Sequence, residues 1–235
     1  MKNQDIEDLK RLLLLYYYMG FERLPFALEA LKVRRKTYHE VEAPKTLETV
    51  EQALRSVQEE LGECTRCKLH RFRKTIVFGE GAEQSGLMFI GDAPREEEDL
   101  QGRPFVGKEG ILLNSLIERM GLQRQGVYMS HLVKCRPPEN RRPEAEEIAT
   151  CRPFLLAQIK VIKPRVIIAL GSVSSQSLLN TATPITELRG RAHDFLGVSL
   201  IPTFHPAYLL RNPKAKWHTW EDAKMALKIL SETNS

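Results

Sequence analysis

A three-layer αβα fold around a central four-stranded parallel sheet is predicted by two features of the sequence: four short apolar runs, and amphipathic helical segments between them. The strands are expected at Leu87–Gly91, Val127–Val133, Val166–Leu170 and Val198–Phe204. Helices are expected over Lys108–Met120 and Glu144–Ile162, from Ser172 onward, and from about Ala215 to Leu230. Helices between strands allow the chain to cross over and return parallel, which a tight hairpin does not. In such sheets ligands bind beyond the carboxyl ends of the strands. The segments with unusual composition follow Ile90, Val133, Leu170 and Phe204, at those ends.

Ahead of the first strand, Ile6, Leu9, Leu13, Tyr16 and Tyr17 recur at helical spacing, and Gly20 with Pro25 punctuates the end of that pattern. A second helical pattern runs from about Thr46 to Leu61. Between them, residues 33–45 are charged and carry Pro44, which reads as a linker. Residues 1–45 are therefore expected to be an N-terminal helical extension and linker, too short for a core of their own, and residues 46–235 the main domain.

Hydrophobic residues make up 42% of the 235, enough for a sizeable core and far from the composition of a disordered chain. The formal charge of +5 is unevenly spread: residues 1–60 hold 10 Lys/Arg against 11 Asp/Glu, and the rest 25 against 19. A polyanionic partner is expected on the second part. The longest strongly apolar run, Leu12 to Met19, has eight residues, well below the ~20 needed to cross a bilayer. With Asp5, Glu7 and Asp8 before it, it does not resemble a secretory signal, so a cytoplasmic, nucleoid-associated protein is expected, with no membrane contact and acting as a monomer.

The four cysteines form one close pair, Cys64 and Cys67, and two distant partners, Cys135 and Cys151, separated by 67 and 15 intervening residues. In a reducing compartment this spacing suits a metal centre better than a disulfide framework. Zinc and a [4Fe-4S] cluster use the same ligand set, and spacing does not choose between them.

Gly91-Asp92-Ala93-Pro94-Arg95-Glu96-Glu97-Glu98-Asp99 follows the first strand. Asp92, bracketed by Gly91 and Pro94, is placed to hold a water or face a developing positive charge, whereas Glu96 and Glu97 read as a solvated face. Phe105, in Gly102-Arg103-Pro104-Phe105-Val106-Gly107, reads equally as core or as a ring presented for stacking. His131 closes the second strand, and His205 follows the last, at the head of His205-Pro206-Ala207-Tyr208-Leu209-Leu210-Arg211-Asn212-Pro213. An imidazole, an apolar wedge and a phosphate-seeking cation within seven residues suit a protein that enters a duplex and acts on an extruded base. Arg136, Arg141, Arg142, Arg189, Arg191, Arg211, Lys214 and Lys216 are candidates for the phosphate grip. Gly171-Ser172 is a weaker one.

Together, GDAPREEEDLQGRPFVGKEG, VKCRPPENRRP with Cys151 downstream, and PTFHPAYLLRNP resemble the iron-sulfur, type-4 uracil-DNA glycosylases over roughly residues 60–232. The resemblance implies a three-layer α/β glycosylase fold and removal of uracil from DNA to leave an abasic site, the first step of base excision repair. It also implies a [4Fe-4S] cluster on Cys64, Cys67, Cys135 and Cys151, with zinc the less favoured alternative. By the same resemblance, Asp92 and His205 are catalytic. Gly91, Glu98, Phe105 and His131 bind the base, and Leu209, Leu210 and Arg211 contact DNA. Three positions depart from the family pattern: Asp92 stands for a Glu, Arg95 for a Gly, and His131 for the Asn that reads the uracil edge. The last departure opens two alternatives, a glycosylase for a different damaged base and a non-catalytic iron-sulfur DNA-binding protein.

Overall fold

The structure, a computed structural model, describes residues 49–232. The first predicted helix, the linker and thus the extension 1–45 lie outside the described residues. Helix α1 (Val50–Leu61) opens on a capping box in which Thr49 and Gln52 each bond the other's backbone N–H, and it buries Leu54, Val57 and Leu61 along one stripe.

The sheet has six strands, ordered β1-β3-β2-β4-β6-β5. Its centre is the expected parallel quartet: β2 (Leu87–Gly91), β3 (Tyr128–His131), β4 (Val166–Leu170) and β6 (Val198–Thr203). Two antiparallel edge strands, β1 (Glu80–Gly81) and β5 (His193–Phe195), extend that prediction. Every residue of β2 and β4 is buried, as a parallel sheet covered on both faces requires.

Alternation along these strands sorts side chains to two cores. Met88, Ile90, Ile167 and Ala169 face one core, with α1, α4 (Ala145–Ile162) and α5 (Ser172–Leu179). Leu87, Phe89, Val166, Ile168 and Leu170 face the other, with α3 (Gly107–Arg119) and α8 (Lys216–Glu232). The result is the three-layer αβα arrangement, completed by the short helices α2 (Glu96–Gln101), α6 (Ile185–Leu188) and α7 (Pro206–Arg211).

From β2 the chain passes to β3 on one side, and from β4 to β6 on the other. The topological switch therefore lies between β2 and β4, and the loops beyond their carboxyl ends flank a crevice. Among the described residues no helix is long and apolar enough to cross a membrane.

Candidate active site and cysteine nest

Asp92 leaves the end of β2, and its Oδ1 accepts the Ala93 N–H at 2.9 Å. His205 leaves the end of β6 as the N-cap of α7, and its Nδ1 accepts the Ala207 N–H at 3.2 Å. In the neutral ring that bond assigns the proton to Nε2. His205 Nε2 is buried, has no hydrogen-bond partner, and faces Asp92 Oδ1 at 3.5 Å. Burial holds the imidazole below its ordinary range, against the opposing pull of Asp92 and Glu109. The crevice thus holds a neutral donor beside a carboxylate.

Glu109, near the start of α3, lies 3.7 Å from His205 Nδ1 and 3.9 Å from Arg95 Nε. It was not singled out in the sequence, because it falls in an amphipathic helix where acids ordinarily face water. A cleft of about 430 Å³ surrounds the pair, bordered by Asp92, Arg95, Ser172, His205, Tyr208 and Arg211 among others.

The four residues expected to bind a base come together as well. Gly91 and His131 are register partners on β2 and β3. A Cβ on Gly91 would lie 2.5 Å from His131 Nδ1 and 2.9 Å from Phe105 Cζ, so only glycine admits both rings. The His131 and Phe105 rings are 4.5 Å apart between centroids, and the residues are 1% and 2% exposed. Phe105 is therefore buried and packed on His131 here.

Glu98 is the hub of this group. Its carboxylate accepts the backbone N–H groups of Arg95, at 2.5 Å, and Phe105, and His131 Nε2 lies 3.0 Å from Oε1. His131 and these N–H bonds outweigh burial and hold the carboxyl below its usual range. Phe105 has φ +50°, an unfavourable backbone for an aromatic residue, and Arg124 clamps it by donating to Phe105 O at 3.0 Å and Pro104 O at 2.6 Å. Asp99 is also buried, accepting the backbone N–H groups of Lys74 and Thr75. Only Glu96 and Glu97 of the acidic run form the solvated face expected of them.

One DNA-contact expectation is corrected. Leu209 is 4% exposed and lines an apolar pocket with Leu112, Leu113 and Trp220, whereas Leu210 is 43% exposed. Helix α7 sets this phase: Pro206 and Leu209, three residues apart, share the inward face, and Leu210 points away. Leu209 is thus core and Leu210 the wedge candidate. Arg211 is exposed at the cleft. Two of the candidate phosphate ligands are held instead in bidentate pairs, Arg141 with Glu147 and Arg189 with Asp222.

The cysteines converge from three places: the turn after α1, the segment after β3, and the second turn of α4. All four are free thiols, and Cys67, Cys135 and Cys151 border a small apolar cluster with Leu69, Ala93 and Val133. As thiolates they would repel one another, Cys67 interacting with each of the other three and Cys151 with Cys64 and Cys135. Burial raises Cys67 and Cys151 and pushes Cys135 up to about 11. Two cations offset this cost. Arg73 donates to Cys64 O at 2.7 Å and to Cys135 Sγ at 3.4 Å, and the fully buried Lys134 attracts Cys151 and Cys135. Such a nest suits a group that replaces the thiol protons with metal. Among the described residues, however, no group of three His, Cys, Asp or Glu side chains is set to hold a single metal ion.

Residues 78–224 match the family model described as the uracil DNA glycosylase superfamily. The chain is 48% identical over 166 residues to the type-4 uracil-DNA glycosylase of Thermotoga maritima, across 70% of this chain and 86% of that protein. It is 42% identical over 184 residues to the type-4 uracil-DNA glycosylase of Saccharolobus solfataricus, across 74% of this chain and 85% of the relative. With the type-4 protein of Pyrobaculum aerophilum it shares 39% identity over 180 residues, across 73% and 92%.

Proposed function

Because the chain belongs to the type-4 family of the uracil DNA glycosylase superfamily, we propose that it hydrolyses the N-glycosidic bond of uracil in DNA, leaving an abasic site. The observation that carries this reading is the unpartnered Nε2–H of a neutral His205 beside the Asp92 carboxylate.

Hydrolysis breaks the bond between C1′ and the base nitrogen, and water supplies the hydroxyl at C1′ and the proton that ends on the base. As the bond lengthens, positive charge grows on the sugar and negative charge on the pyrimidine. Asp92 stabilises the first and orients the water. His205 Nε2–H donates to the base oxygen beside the breaking bond and stabilises the second. Both groups are fixed before the reaction, His205 by the Ala207 N–H and Asp92 by that of Ala93, so little reorganisation opposes them.

Gly91, Glu98, Phe105 and His131 form the base-binding group in this reading. Leu210 fills the gap left by the extruded nucleotide, and Arg211 with Arg142, both exposed at the cleft, contacts the phosphates. The DNA partner, monomeric action and a nucleoid-associated cytoplasmic location belong to the same proposal.

Cys64, Cys67, Cys135 and Cys151 would hold the [4Fe-4S] cluster. Four free thiols gathered from three segments, offset by Arg73 and Lys134, match the all-cysteine donor set of such a cluster. When bound, the cluster supplies a cross-link between the α1 turn, the β3 end and α4, a stabilising role.

The test is alkaline cleavage after incubation with uracil-containing oligonucleotides. Scission by the wild-type chain that disappears in Asp92→Ala and His205→Ala is the expected result. Tight DNA binding with no scission would support the non-catalytic reading instead.

A further inference from the structure

Lys134 poses a problem of charge accounting. It is fully buried, and its ammonium donates to three neutral acceptors: Ser130 Oγ, His131 O at 3.0 Å and Gln158 Oε1 at 2.7 Å. Neighbours fix these acceptors. Gln158 Nε2 donates to Phe78 O at 2.9 Å and Tyr128 Oη at 3.2 Å, which turns the amide oxygen toward the lysine. The Ser130 hydroxyl directs its own proton to Phe78 O or Gln158 Oε1, leaving a lone pair for Nζ. Three acceptors match the three donors of an ammonium. Among the described residues no carboxylate pairs with it, although a buried charge is ordinarily matched by an opposite one.

The groups of opposite charge within its reach are thiolates: Cys135, the next residue, and Cys151, which also takes the Lys134 backbone N–H. Arg73 is a second cation of this kind. Its side chain is 9% exposed and donates to Cys135 Sγ at 3.4 Å and Cys64 O at 2.7 Å, while its carboxylate partner, Glu63 at 3.8 Å, is fully exposed and screened by water. The other charges around the nest are matched among themselves: Glu147, which acts on Cys67, is held by Arg141, and Lys68 by Glu144. Two cations are left over, and both face the cysteines.

A [4Fe-4S] core with two positive charges on four thiolates leaves two negative charges. Resting on the cluster reading above, we infer that Lys134 and Arg73 are the fixed counter-charges of the cysteine-bound cluster, together matching its two negative charges and setting the potential at which it exchanges an electron. Neither is a ligand, and neither touches DNA. A cation favours the state that holds more electrons, so removing one lowers the midpoint potential. At an effective dielectric of about 20, a unit charge within about 10 Å shifts an equilibrium constant by at least about tenfold.

The experiment uses the full chain purified with its metal, and measures the midpoint potential by film voltammetry and iron release to a ferrous chelator. Lys134→Met keeps the length of the buried chain and removes its charge. It is expected to move the redox equilibrium toward the oxidised cluster by at least about tenfold, a fall of about 59 mV for one electron, and to release iron faster. Arg73→Gln is expected to do the same. Arg73→Lys, which restores the charge without the guanidinium, should stay within about threefold of the wild-type equilibrium. A merely structural role for either side chain would leave the potential unmoved.

An unchanged potential in either charge-removing variant overturns the inference. So does a potential in Arg73→Lys as low as in Arg73→Gln. Lys134→Met also strips Gln158 Oε1 of a donor, so if that variant does not fold, the Arg73 pair decides. If Arg73→Gln retains no iron, retention in Arg73→Lys upholds the counter-charge and loss from both overturns it. Zinc in the purified wild type in place of iron would refute the cluster reading alone. One zinc ion on four thiolates carries the same net charge, so zinc release that is faster in Arg73→Gln than in Arg73→Lys and the wild type would uphold the counter-charges, and equal release would overturn them. A wild type purified with no metal refutes both.

Discussion

His205 and His131 both stand at carboxyl ends of parallel strands, and both leave one buried nitrogen unpartnered. They leave opposite ones. The Ala207 N–H occupies Nδ1 of His205 and frees Nε2 as a donor, whereas the Glu98 carboxylate occupies Nε2 of His131 and leaves Nδ1 free. The same side chain therefore leaves a different nitrogen free in two places, and the choice is made by a neighbour. A backbone amide at the start of a helix frees Nε2 of one ring, and a buried carboxylate frees Nδ1 of the other.

The sharpest way to break this comparison is to remove the donor. His205→Ala is expected to slow uracil excision by about 100-fold or more, as loss of a preorganised donor does, with DNA affinity changed less than about threefold. Equal loss of both, in excision and gel-shift assays, would show that His205 holds the fold or the DNA and not the leaving base.

The cysteine nest supports the strand end that carries His131. Cys135→Ala is expected to lower iron content, yield and thermal stability as well as activity, and a colourless, stable, fully active variant would contradict the stabilising role. A smaller contrast lies along α7. Leu209→Ala should destabilise the fold by about 3 kcal/mol in denaturant titration, as a buried leucine does. Leu210→Ala should leave stability unchanged and slow excision from duplex by about tenfold while sparing single strands.

Acid sharpens the comparison further. Burial depresses His205, so the ring stays neutral, and excision should persist as pH falls to about 6.5, the ordinary histidine value, declining only below it. The sign for stability follows: below that pH the unfolded chain takes up a proton that the folded ring resists, so stability falls with pH through that window. Glu98, held low, adds stability above the ordinary glutamate value of about 4.3 that is lost as pH drops through its folded value. A pH–rate profile with its acid limb above 7 would contradict the neutral His205.

The four central strands were legible because burial on both faces writes them as continuous apolar runs, and their ends place Asp92 and His205 at one cleft and His131 buried beside Gly91. The edge strands, of two and three residues, leave no periodicity to read. Leu209 and Leu210 are chemically identical, and only the N-cap at His205 decides which faces the core. The Glu98–His131 contact spans 33 positions, and Glu98 sits inside an acidic run that local pattern assigns to solvent. Site residues were therefore legible as a set, while the ring nitrogen each histidine leaves free was not, because a helix start decides it for His205 and a partner distant in sequence for His131.

The most direct measurement of the central claim is single-turnover cleavage of a uracil-containing oligonucleotide by the wild-type chain and by His205→Ala, with binding measured alongside. The account predicts uracil-dependent abasic sites from the wild type, and a variant that binds the same DNA normally yet reacts about 100-fold more slowly. A His205→Ala protein as fast as the wild type would contradict it.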